Sequence, residues 1–185
     1  QNLIDGMSKK EFVLSKFLTV VVFAGASTVF ISIMTLILGY SFSSYNEIGI
    51  VFSELEYLIA YFVKLVGFFS FCLFLGILVK RSAFAIGFLF VWYIIESIAK
   101  GILAFAIFPG SDTYKNISQF FPLEAMSNLI IEPITRTAMV KNIGTQMGVE
   151  NTTDYSVHFS GILIVLVWVV IFMLMSYKIL KKRDL

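Results

Sequence analysis

The chain has 185 residues, of which 58% are apolar, 16% aromatic and only 14% charged, and its net charge is +2. Soluble domains carry roughly 25% charged residues, so this composition excludes a water-soluble enzyme, a nucleic-acid binder and a disordered chain. Cys72 stands alone in an apolar run and His158 is the single histidine, which excludes a disulfide framework, HExxH zinc chemistry and any multi-histidine or cysteine-rich metal site. What remains is an integral membrane protein. The sequence opens at Gln1 without an initiator methionine or a charged leader ending in small residues, and so reads as a piece of something longer.

In chain order, the first element is announced by Ser8-Lys9-Lys10-Glu11. This is the spacing of a capping box, in which the serine hydroxyl accepts from the Glu11 amide and the Glu11 carboxylate accepts from the Ser8 amide. Met7 and Phe12 stand where a hydrophobic staple would. A helix is predicted from Ser8 through Lys16 into the membrane, preceded by a short element, Gln1 to Met7, broken at Gly6. On local physics alone this is the ordinary cap of a membrane helix. The functional alternative is a cytoplasmic elbow that docks a soluble partner.

A spanning helix needs about 20 mostly apolar residues. Four stretches qualify: Phe17 to Tyr40, without charge; Tyr57 to Val79, containing Lys64; Ala83 to Phe108, containing Glu96 and Lys100; and Phe159 to Tyr177. Short alternating segments are absent, which excludes a barrel. The expected fold is an all-α integral membrane protein, one domain of four transmembrane helices. Lys9, Lys10, Lys16, Lys80, Arg81, Lys178, Lys181, Lys182 and Arg183 flank one side, against Lys115, Arg136 and Lys141 on the other. The imbalance puts both termini in the cytoplasm. Lys80-Arg81-Ser82 then forms a tight cytoplasmic turn, making the second and third helices an antiparallel hairpin.

The last outer loop, 109–157, is long enough to have structure of its own. Pro122 suits the first turn of a short helix that Pro133 would end. Leu123, Met126, Leu129 and Ile130 share one face, opposite Glu124 and Asn128, so an amphipathic helix is expected on or in the outer leaflet. Ala24, Thr28 and Ser32 on the first helix, and Ser97 and Gly101 on the third, permit close helix approach, within the chain or, for one face, at a subunit interface. The bulky, apolar fourth helix is expected at the lipid-facing edge. Tyr40, Tyr57, Tyr155 and Tyr177 read as interfacial anchors, and His158 as an interface residue.

Glu96 lies near the middle of the third helix with Lys100 one turn further out, and Lys64 lies at similar depth in the facing helix. An ionised group at that depth costs a few kcal/mol or more, so pairing is required. Glu96 is expected to pair with Lys100, with Lys64, or with both, as a structural ion pair fixing the hairpin's register. A polar translocation path or a proton relay is the sharper alternative.

The opening residues QNLIDGMSKKEFVLSKFL resemble the cytoplasmic coupling segment of permeases in ATP-binding-cassette (ABC) transporters of the type-2 exporter class. Asn2, Ile4-Asp5-Gly6, Ser8-Lys9, Phe12 and Lys16 follow the family's order, and Glu11 completes the cap within it. FFPLEAMSNLI at 120–130 resembles the extracytoplasmic helix before the family's last span, and YKILKKRDL at 177–185 resembles its ending. Such permeases have six spans with the coupling segment after the second, so the resemblance implies that two spans precede this sequence. It further implies a multi-pass protein of a bacterial inner membrane, paired with a second permease subunit (the same or different) and resting on a cytoplasmic ATPase. The segment Asn2 to Lys16 would couple the two, and ATP with its magnesium would be held by that partner. The chain has no GxxxxGK[ST] phosphate loop of its own. The alternative is a four-helix membrane scaffold or assembly subunit without transport. An intramembrane enzyme lacks its usual requirements, since Glu96 is the only acid deep in a span, so no catalytic residue is assigned.

Overall fold

The computed structural model of the protein describes residues 6–42, 55–79, 82–109, 111, 113–131 and 155–182. All regular structure among them is helical. Helices α1 (Lys9–Phe42), α2 (Glu56–Val79), α3 (Ser82–Ile102) and α6 (Phe159–Lys182) are long and apolar enough to cross a membrane, α3 being prolonged by a π-helical turn, Leu103–Ile107. Two short helices, α4 (Thr113–Ser118) and α5 (Pro122–Asn128), lie between α3 and α6. The protein is thus a multi-pass helical membrane protein, as its composition requires. Asn2, Ile4, Asp5, Lys80, Arg81, Pro133, Arg136, Lys141 and Arg183 lie outside the described residues.

The pairing of α2 with α6 organises the bundle. Tyr57 meets Tyr155, Gly67 meets Val165 and Phe74 meets Phe172, each pair 98 residues apart, so the two helices run parallel in constant register. Helix α1 runs antiparallel to α2, with Phe23 against Phe69 and Gly25 against Phe62. Helix α3 reverses after α2, and Trp92 packs its ring against Phe71 at 5.6 Å. Phe71 and Phe74 also face Phe172, which stacks on Trp168, so one aromatic column ties α2, α3 and α6 together.

This arrangement corrects the expected position of the fourth span. Val165, Val169, Phe172, Ser176 and Leu180 of α6 are buried along one helical face, whereas no residue of α3 between 83 and 102 is. Residue size cannot reveal this, because lipid tails are as apolar as leucine and exert no preference between an apolar side chain in lipid and one in protein. The small residues divide in the same way. Ala24 is fully buried against Val66 and Val169, as expected. Ser97 is exposed, and a Cβ on Gly101 would meet nothing within 4 Å, so these two do not serve packing within the described chain.

Candidate functional site

The amino-terminal cap forms as its spacing dictates. The Ser8 amide donates to Glu11 Oε2 at 2.8 Å, and the Glu11 amide donates to Ser8 Oγ at 3.2 Å. Gly6 sits at φ +90°, a left-handed conformation that side-chain-bearing residues rarely adopt, which breaks the chain just before the cap. The Lys16 ammonium lies 5.6 Å from the Phe12 ring centre. At 34 residues, α1 is about 50 Å long against about 30 Å of hydrocarbon, so its charged start, Lys9 to Lys16, has room to stand clear of the bilayer. The Ser8 amide and hydroxyl hold the Glu11 carboxyl below its ordinary pKa. A depressed carboxyl contributes stability that is present above its ordinary pKa and lost as pH falls through its lowered one. We therefore expect the amide resonance at position 8 to titrate with an apparent pKa below the glutamate reference value, and Ser8→Ala, which keeps that amide and removes only the hydroxyl, to bring the midpoint part of the way back.

A second cluster occupies the middle of the bundle, built around α5. The sequence Phe120-Phe121-Pro122 starts a helix without a capping side chain: Phe121 is the N-cap and makes no side-chain hydrogen bond. Pro122 at the first position has no N–H to satisfy, but the next two amides do. Glu96 supplies the missing acceptor. Its carboxylate receives the Leu123 amide (3.2 and 3.1 Å), the Glu124 amide (3.2 Å) and the Trp92 indole N–H (2.6 Å). An acid on α3 thus does for α5 what an N-cap side chain ordinarily does.

The other end is held from α2. Lys64 Nζ donates to the Ser127 and Ile130 carbonyls at 3.4 and 3.5 Å, at the end of a helix whose own last turn has no basic residue. Lys100 forms its ion pair with Glu124. Trp168 Nε1 donates to the Phe120 carbonyl, 2.9 Å away, fixing the turn that leads into α5. Pro122, Ala125 and Met126 are buried against the spanning helices.

These contacts correct two expectations. Glu96 pairs with neither lysine, because the amides of a helix folded back into the bundle reach it first. The amphipathic helix buries its expected apolar face, with Met126 and Leu129 packed among α2, α3 and α6, but Glu124, expected to face away, turns to Lys100. The signal that could have found this was in the sequence: a Pro-started helix with no cap residue needs an acceptor from elsewhere, and Glu96 is the only acid deep within a span rather than at its end. Among the described residues no group of three His, Cys, Asp or Glu could hold a metal ion. Lys100 lies within a spanning helix, where a charge without its counter-ion costs about 2.5–3.5 kcal/mol, so we expect Lys100→Glu, which sets a second carboxylate against Glu124, to destabilise by about 3 kcal/mol. The double reversal with Glu124→Lys should recover most of it in the same unfolding assay.

No curated protein and no solved structure matches the chain. Residues 2–185 match the family described as "Protein of unknown function (DUF2705)", which spans both the amino-terminal cap and the α5 cluster. The chain belongs to the DUF2705 family.

Proposed function

We propose that this chain is the membrane-spanning permease part of an ATP-driven exporter of the ABC type, coupled to a separate cytoplasmic ATPase through its amino-terminal elbow. The observation that carries the reading is the glycine break at Gly6 followed by the reciprocal Ser8–Glu11 cap, opening a single 34-residue helix that continues into the bilayer. Such a helix is a rigid lever, and a push on its exposed start is delivered to the packed bundle. Gly6, Ser8, Lys9, Glu11 and Phe12, with Asn2 and Asp5 before them, would form the docking segment.

The orientation supports this reading. The helix directions bring the start of α1 and the end of α6 to one end of the bundle, together with Lys9, Lys10, Lys16, Lys178, Lys181 and Lys182. The excess of positive charge there supports a cytoplasmic position for that end, with α5 on the opposite side. The membrane would be a bacterial inner membrane, and a second permease subunit would complete the path. A specific observation favours the alternative, a non-transporting scaffold: Glu96 and Lys100 are engaged in holding α5 rather than lining an open path.

The deciding experiment is affinity purification of the tagged protein from detergent-solubilised native membranes, with mass spectrometry of what accompanies it. The permease reading expects an ABC-type ATPase, lost when Asp5-Gly6 and Ser8-Lys9 are replaced. If known membrane complexes survive the same detergent and no ATPase is recovered, the permease reading fails and the scaffold stands.

A further inference from the structure

Helix α6 ends in three exposed lysines, Lys178, Lys181 and Lys182. Spaced three and four residues apart, they share one face of the helix, opposite the buried Ser176 and Leu180. Further back along the same face stand Val167, Val170 and Leu174, exposed at 58%, 57% and 55%. Helix α6 is long and apolar enough to span a membrane, so these three side chains meet acyl chains. Phe159 to Tyr177 rises about 28 Å, close to the thickness of the hydrocarbon core, and the lysines follow directly, at the level of the headgroups. One face thus joins an apolar strip to a cationic end, in the order of a phospholipid's chain and phosphate. Within the chain this positive charge is not balanced. The carbonyl end of α6 carries about half a negative charge, against three ammoniums. Among the described residues none of the three forms an ion pair, and Glu11, the acid at this end, already accepts from the Ser8 amide. Lys10 and Lys16 of α1 add positive charge at the same end. A second copy packed face to face here would set three ammoniums against three. A soluble acidic partner would have to enter the headgroup layer, where an anionic lipid already has its phosphate.

We propose that this face of α6 is a site for an anionic phospholipid, with an acyl chain along Val167, Val170 and Leu174 and the phosphate on Lys178, Lys181 and Lys182. A zwitterionic lipid is the weaker occupant, because its own ammonium offsets the phosphate. The site does not depend on the transporter reading or on which side of the membrane this end faces.

The test is photolabelling of the full chain in phosphatidylcholine vesicles of symmetric composition, with trace phosphatidylglycerol or phosphatidylcholine carrying a diazirine near the glycerol end of one chain. Labelled residues are mapped by mass spectrometry. The ratio of phosphatidylglycerol to phosphatidylcholine labelling at Leu174 and Met175 is compared with that at Leu163, on the same helix but at the other leaflet. We expect the first ratio to be about fivefold higher at low salt, the shift that one engaged lysine supplies. It should fall to about twofold or less in 1 M NaCl, where charges are screened beyond about 3 Å. Replacing the three exposed lysines together, Lys178→Gln, Lys181→Gln and Lys182→Gln, should bring it down to the Leu163 ratio. The corresponding three arginine substitutions should keep it, and unchanged labelling at Leu163 shows that each variant is still inserted. Equal ratios at the two ends in the parent overturn the site, as does an enrichment that survives the glutamine substitutions. If enrichment is absent and the glutamine variant instead loses a co-purifying protein, the lysines meet an acidic protein surface and the lipid site is wrong.

Discussion

Glu96→Leu should destabilise the helical bundle by about 3–5 kcal/mol, and Glu96→Gln by about 1–2 kcal/mol. The difference follows from what each replacement leaves unpaired. The carboxylate accepts from three donors, the Leu123 and Glu124 amides and the Trp92 indole. Leucine orphans all three at a depth where water is scarce, and each buried donor left without a partner costs about 1–3 kcal/mol. The sum is capped because α5 is short and can swing toward the membrane surface to find water. Glutamine keeps one acceptor oxygen, loses the charge that strengthens these bonds, and turns an NH2 group toward the amides. Reversible unfolding in mixed micelles measures both values. Amide exchange at Leu123 and Glu124 should accelerate in the same order, with the exchange of α1 unchanged. A Glu96→Leu protein as stable as the parent would mean that α5 does not take its N-terminal cap from α3. The Gln variant also separates the roles considered for this residue. An α5 anchor predicts function that follows stability, whereas a proton relay predicts function lost in a stable protein.

How much of this was legible in the sequence depended on whether the determining partner was near in sequence. The four spans were legible because twenty apolar residues in a row have few alternatives to crossing a bilayer. The Ser8–Glu11 cap was legible because both partners lie within one turn, and the start of α5 at Pro122 because proline is pre-set for that position. Two things were not. The central place of α6 is decided by which apolar face meets protein, and within a bilayer hydropathy carries no information on that choice. The partner of Glu96 is 27 residues away in a helix expected on the surface, so a reading confined to the hairpin could offer it only lysines. The unmet cap at Phe121 was the available clue. It becomes informative only when every helix end is required to have its hydrogen bonds accounted for.

The close approach of α2 to α6 at Gly67 sets the second large effect. Gly67→Val should destabilise the protein by about 3 kcal/mol and Gly67→Ala by about 1–2 kcal/mol. A Cβ at position 67 would stand 2.8 Å from Val165 Cγ1, a distance real side chains do not tolerate, and 3.3 and 3.4 Å from Met126 Cε and Cγ. Met126 is unbranched and can give way. Val165 is β-branched, stiff at χ1 and completely buried, so α2 and α6 themselves must move apart. Alanine's better helix propensity, worth about 1 kcal/mol over glycine, offsets part of the cost, which is why valine is the stronger test. The effect should not add to that of the facing residue. Val165→Ala leaves a cavity and destabilises on its own, yet in that background Gly67→Ala should cost little, giving a favourable coupling of about 1–2 kcal/mol in a double-mutant cycle. Additive costs would show that α2 and α6 are not in contact at this level. Coupling would show that the absence of a side chain at 67 is what allows the parallel pair to close beneath α5, and hence what lets Met126 and the helix that carries it sit within reach of Glu96.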